Sequence, residues 1–121
     1  DTLRLTGLPV DVAVTGTPRR PLPAGAELAA YRVVQEALTN TARHGGPDVR
    51  AHLELAWSPS GLTIEVLDDG RGAAASPATR GSGHGLLGLR ERVDLFGGTV
   101  DAGPVVGGGF RVRATLPYVE T

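Results

Sequence analysis

The stretch AELAAYRVVQEALTNTARH, residues 26–44, decides how the rest of the chain is read. It holds neither Gly nor Pro, and Gly45-Gly46-Pro47 follows at once, so it reads as one long helix with a sharp stop. Leu28, Tyr31, Val34, Leu38 and Ala42 recur at helical spacing and form the expected core stripe. A second line runs along the same helix. Glu36, Asn40 and His44 stand at i, i+4 and i+8, and at about 100° per residue Arg32 and Arg43 fall on the same side. Val33 and Ala37 flank that polar line on one side, and Tyr31, Leu38 and Ala42 on the other. A solvated face with a Glu–Arg pair accounts for such a line. Two features point further. Asn40 is the sole asparagine of the chain, in mid-helix, where its amide competes with the backbone unless it has another use. A carboxylate, an amide oxygen and an imidazole in line can also hold a hard cation and its phosphates.

Beyond the helix, Val49, Ala51, Leu53, Leu55 and Trp57 alternate with Arg50, His52 and Glu54, the pattern of a half-buried strand. Ser58-Pro59-Ser60-Gly61 is a turn, and Leu62 to Asp68 is the second strand of a hairpin. A Gly- and Ala-rich loop from Gly70 to Gly83 leads into a second helix, His84 to Phe96, which Gly97-Gly98 ends. Arg90, Glu91, Arg92 and Asp94 are read as its solvated face. Strands follow at Thr99 to Ala102 and at Phe110 to Leu116, the latter turning Phe110, Val112, Ala114 and Leu116 inward. Ahead of the first helix, Leu3 to Thr15 is apolar and β-branched, one or two strands, and Thr17 to Gly25 carries three prolines and is a loop. Strands and helices are grouped rather than strictly alternating. The expected fold is therefore α+β, a two-layer sandwich of a mixed, mostly antiparallel sheet with helices on one face.

The chain has 121 residues and no Cys, a length for one domain around one core. Gly and Pro are abundant, 18 and 9, yet 40% of the residues are apolar, enough to fold rather than stay disordered. A formal net charge of −1 excludes a general nucleic-acid backbone binder, which needs clustered positive charge. No apolar run approaches the length of a membrane span. Every basic side chain apart from the three His is Arg, so a phosphate contact from a basic group falls to Arg or His.

Two further places carry chemistry. In the strand Leu62 to Asp68 the inward row is Leu62, Ile64, Val66 and Asp68, so a carboxylate continues the core face. It needs donors there. One reading is a strand-end cap on the turn Asp69-Gly70. The other is the floor of a pocket that accepts a hydrogen bond from a ligand amine, with Gly70 and Gly72 letting backbone approach closely. In Gly83-His84-Gly85-Leu86-Leu87-Gly88-Leu89, glycines open a helix, whose free N–H groups and dipole suit a phosphate. Arg80 and His84 are within reach of one, although a G-x-G alone is weak evidence.

Taken in order, QEALTNTARH (35–44), LDDGRG (67–72), GHGLLGLRERV (83–93) and GGGFRVRATLP (107–117) resemble the catalytic, ATP-binding domain of sensor histidine kinases of the NarL type, within the superfamily of DNA gyrase and the MutL mismatch-repair ATPases. The resemblance covers nearly the whole chain. It implies that Asn40 binds the Mg²⁺ that bridges the ATP phosphates, with Glu36 at the acidic position near that metal. It implies that Arg43 and His44 lie along the phosphates and that Asp68 accepts from the adenine amino group. Gly70 and Gly72 would shape the adenine pocket, residues 73–82 would be a mobile ATP lid, and Gly83, Gly85 and Leu86 would lie at the phosphates. Departures from the pattern are Phe110 where many relatives carry Thr, Leu89 where Met is usual, and a short lid without an aromatic residue.

The resemblance further implies transfer of the γ-phosphoryl group to a histidine on a separate dimerising helical hairpin, and from there to a response regulator receiver domain. Nothing in the chain resembles that hairpin, so residues 1–121 are expected to be one domain of a larger cytoplasmic or membrane-anchored kinase, monomeric itself within a homodimeric parent. His44, His52 and His84 belong to the motifs or, for His52, to a strand edge, and none is expected to accept the phosphoryl group. Three rival readings stand beside this one: an anti-sigma-factor serine kinase, a nucleotide-sensing module without catalysis, and a hydrolytic ATPase in which Glu36 activates water.

Overall fold

A computed structural model describes residues 2–5, 7–46, 48–70 and 84–119, with the side chains of residues 2–5 and 84–87 outside that description. Two short strands open the chain, β1 (Thr2–Leu5) and β2 (Leu8–Thr15), followed by helix α1 (Ala26–His44). Then come β3 (Ala51–Trp57), β4 (Gly61–Asp68), α2 (His84–Asp94), β5 (Thr99–Pro104) and β6 (Phe110–Pro117). The six strands form one sheet in the order β1-β2-β3-β4-β6-β5. Every neighbouring pair is antiparallel except β2 and β3. That parallel pair follows from α1, which carries the chain back along the sheet between the two strands. The expected α+β sandwich is the observed one.

The inward row expected for β4 and β6 is buried throughout, and Ile64 and Ala114 have no exposed surface. Both helices contribute to that same core, α1 through Ala29 and Val33, α2 through Leu89 and Val93. Thus one face of the sheet is covered and the other carries polar side chains such as Glu54, Glu65, Arg111 and Arg113.

The stripe expected on α1 is not the one the fold buries. Leu28 and Tyr31 are 50% and 61% exposed, Ala42 is exposed, Val34 is half-buried, and only Leu38 of that set is in the core. Ala26, Ala29, Val33, Ala37, Asn40 and Thr41 face inward instead. Small side chains let the helix approach the sheet and α2 closely, which larger ones would prevent. The expected polar line is divided by the same choice. Asn40 is buried, Glu36 and His44 are half-buried, and Arg32 and Arg43 are exposed. His52 also needs correction, because β3 is an interior strand and not an edge.

At the start of α1, Gly25 holds φ 88° and a Cβ there would press on the Phe96 ring. At its end, Gly45 N–H donates to the Thr41 carbonyl at 2.8 Å, and Gly46 turns the chain away with φ 92°. The segment Leu95 to Gly97 is a turn and not the last turn of α2, and β5 reaches past the expected Ala102 to Pro104. Arg90, Glu91, Arg92 and Asp94 are exposed as expected, and Arg90 Nε donates to the Val100 carbonyl at 3.1 Å. No described helix is long and apolar enough to cross a membrane.

Candidate functional site

Asp68 is the last residue of β4, opposite Ala51 on β3 and Phe110 on β6. It continues the inward row and is 8% exposed. Two donors meet it. Thr41 Oγ1 donates to Oδ2 at 2.9 Å, and the Gly70 N–H donates to Oδ1 at 2.9 Å. The first donor comes from α1 and the second from the turn that follows. The Gly70 bond is the turn cap of one sequence reading, and the Thr41 bond ties the carboxylate to the helix layer as well.

Glycines are what allow this. A Cβ on Gly70 would run into the Gly45 carbonyl and Cα, so the strand end and the helix end meet backbone to backbone. Gly109, with φ 99°, lies against the Asp68 carbonyl with no room for a side chain. Next along the chain, Asp69 N–H donates to the Arg50 carbonyl at 3.2 Å, and Asp69 Oδ1 accepts from the Arg50 N–H at 2.7 Å. The strand end is thus clamped on both sides.

Asn40 precedes Thr41 and is 9% exposed. Among the described residues its side-chain amide has no hydrogen-bond partner. Burying an amide without a partner costs about 1–3 kcal/mol, which a ligand can recover. Glu36 stands one turn earlier and His44 one turn later, both half-buried, and Arg43 is exposed beside them. Among the described residues no three His, Cys, Asp or Glu lie close enough to hold a metal ion unaided.

Helix α2 ends at the far end of the sheet, where Gly98 N–H bonds the Val93 carbonyl and Thr99 pairs with Thr115. Its first turn, His84, Gly85 and Leu86, is therefore directed toward the end that holds Asp68. The side chains of His84 and Leu86 lie outside the described residues, as do Gly72, Arg80, Gly83 and the whole stretch 73–82 expected to be a lid. What the sequence reading missed is Thr41. It lies inside the quoted motif, but its neighbours Asn40 and Arg43 drew the attention, and nothing local shows that its hydroxyl meets a strand 27 residues on.

The site thus sets a buried carboxylate at a strand end beside a buried asparagine whose amide has no partner among the described residues, an arrangement that a polar ligand can complete. Residues 25–120 match the family of histidine kinase-, DNA gyrase B-, and HSP90-like ATPases, and the chain belongs to that family. It is 33% identical over 94 residues to the oxygen sensor histidine kinase NreB of Staphylococcus carnosus, a match covering 78% of this chain and 27% of that protein. It is 29% identical over 116 residues to the sensor histidine kinase YxjM of Bacillus subtilis, covering 96% and 27%. The chain thus spans 27% of the length of each of these relatives. Of solved structures, the ATP binding domain of PrrB from Mycobacterium tuberculosis is similar with a TM-score of 0.61 at 29% identity, over 92% of this chain and 82% of that one. The histidine kinase domain of the blue-light activated histidine kinase of Erythrobacter litoralis shares the fold, with a TM-score of 0.67 at 24% identity over 89% and 51%.

Proposed function

We propose that this chain binds Mg²⁺·ATP and delivers the γ-phosphoryl group to a histidine on a separate dimerising hairpin of the same parent protein, from which it passes to the receiver domain of a response regulator. The observation that carries the reading is the pairing of Asn40 and Asp68. One is a buried amide without a partner among the described residues, the other a buried carboxylate with two donors, and Thr41 joins them.

In this reading Asp68 accepts the adenine amino group, and Gly70 with Gly72 shapes the slot for the ring. Asn40 offers its amide oxygen to Mg²⁺, with Glu36 one turn away. The donor set fits a Mg²⁺ that keeps most of its ligands from phosphate and water, as this ion usually does, since no carboxylate cage is present among the described residues. Bound there, the ion supplies charge neutralisation at the phosphates. Arg43, His44, Arg80 and His84 are assigned to the phosphates, as are the backbone N–H groups of Gly83, Gly85 and Leu86, since a glycine-rich helix entry suits an anion. The protein's contribution is placement of the triphosphate. Residues 1–121 are read as one domain, monomeric in a homodimeric parent, acting in the cytoplasm where ATP is available.

The test is calorimetric titration of the chain with ATP, with and without Mg²⁺, beside Asp68→Asn. Exchanging a carboxylate oxygen for an amide sets donor against donor, so ATP affinity falls roughly 5- to 150-fold. Unchanged affinity overturns the adenine assignment. With γ-labelled ATP the chain alone acquires no acid-labile, alkali-stable label, and the added hairpin does. Label on a serine of an added partner moves the assignment to the anti-sigma-factor kinases, and phosphate release without any acceptor moves it to a hydrolytic ATPase.

A further inference from the structure

Thr41 has an unusual use for a helical threonine. Such a hydroxyl ordinarily donates to the carbonyl one turn back along its own helix. Here it leaves the helix and donates to Asp68 Oδ2 at 2.9 Å. The side chain is 3% exposed, so water does not compete for that proton. The Gly70 N–H holds the other oxygen. The carboxylate is therefore anchored through both oxygens, one from each layer of the fold, and its rotation about the Cβ–Cγ bond is stopped.

We infer that Thr41 is the positioning residue that selects the base at this site, by holding the Asp68 carboxylate in the orientation that accepts from an exocyclic amine. The inference rests on the reading that Asp68 faces the nucleotide base. A hydroxyl has one proton to give. Because Thr41 gives it to Asp68, the hydroxyl offers the ligand no donor, and the carboxylate offers acceptor lone pairs in a fixed direction. A base with an amine at the 6-position meets an acceptor. A base with a carbonyl oxygen there meets acceptor against acceptor, the arrangement that discriminates most strongly in a buried site. Without Thr41 the carboxylate loses the donor that fixes Oδ2, while the Gly70 N–H still holds Oδ1, so the preference for an amine weakens.

The experiment compares ATP and GTP affinities of the chain by calorimetry for wild type, Thr41→Val, Thr41→Ser and Asp68→Asn, with thermal melting of each to confirm folding. Thr41→Val keeps the shape and removes the donor, and Thr41→Ser keeps the donor. The expected result is a fall of about tenfold in the ATP-to-GTP affinity ratio in Thr41→Val, with Thr41→Ser near wild type and the gain from adding Mg²⁺ unchanged in both. A Thr41→Val chain that loses ATP and GTP affinity equally, or keeps the wild-type ratio while Asp68→Asn weakens ATP binding, overturns the role of Thr41 alone. Equal losses in Thr41→Val and Thr41→Ser overturn it too, since the hydroxyl is then not the cause. If neither Thr41→Val nor Asp68→Asn changes ATP affinity, the base assignment itself falls and the role of Thr41 falls with it.

Discussion

The two ends of the sheet treat buried polar groups in opposite ways. At the end away from Asp68, the Tyr118 ring stacks on Trp57 with centroids 6.4 Å apart, and its hydroxyl donates to the Ser58 carbonyl at 2.6 Å while accepting from the Arg19 N–H at 3.2 Å. Val119 N–H bonds the Pro21 carbonyl beside it. That hydroxyl ties the proline loop, the β3–β4 turn and the C-terminal strand together with its capacity used on both sides. At the other end, Asn40 is as deeply buried and its amide finds no partner among the described residues. Saturated polar groups hold a fold together, whereas a buried group left short of partners lowers stability and is kept where a ligand completes it.

The contrast can be broken by substitution. The largest effect is expected at Gly109, where φ is 99° and a side chain meets the Asp68 carbonyl. Gly109→Val should destabilise the chain by about 3 kcal/mol and weaken ATP binding as well. Gly108, at φ 118° with open space around it, should cost less when changed to Ala, because only backbone strain is added. Denaturant unfolding measures both.

Tyr118→Phe removes two hydrogen bonds at the closed end, and should cost about 1–2 kcal/mol of stability. ATP affinity should not change, and a loss there would show that the two ends are coupled. Asn40→Ala should do the reverse. Stability should hold or rise by up to about 1 kcal/mol, since a buried amide without a partner among the described residues is replaced by a better helix former. The gain in ATP affinity on adding Mg²⁺ should disappear. A destabilised Asn40→Ala chain with that gain intact would place Asn40 among the structural groups.

The smallest effect is expected at Leu28, which is 50% exposed. Leu28→Ala should change stability by no more than about 0.5 kcal/mol, while Val33→Ala, at a position with no exposed surface, should cost about 1–3 kcal/mol. The reverse order would restore the helix face that hydrophobic spacing alone selects.

Much of this was legible before any coordinates. Helix α1 spans the residues that the absence of Gly and Pro marks out, and β4 and β6 turn inward the rows that alternation selects, Asp68 included. The motif order pointed to the family that the chain belongs to. The face of α1 was not legible. Spacing arguments favour the larger apolar side chains Leu28 and Tyr31, whereas the fold brings in Ala29, Val33 and Ala37 because close helix packing favours small ones. The rarity and mid-helix position of Asn40 mark it in the sequence, but its burial is not visible there, since the polar line also fits a solvated face.

The sequence by itself determined the order and approximate extent of the elements and which strand faces are apolar. Each of these is set by neighbours a few positions away, through turn residues, side-chain periodicity and the propensities of single residues. The tertiary structure alone decided that β6 lies between β4 and β5, which side of α1 is buried, and that the Thr41 hydroxyl turns from its own helix to Asp68. Those outcomes depend on how closely helix and sheet and neighbouring strands approach, as where Gly45 meets Gly70 and where Gly109 meets the end of β4. Residues so far apart in the chain meet only when the whole core has closed, so no local pattern records their contact.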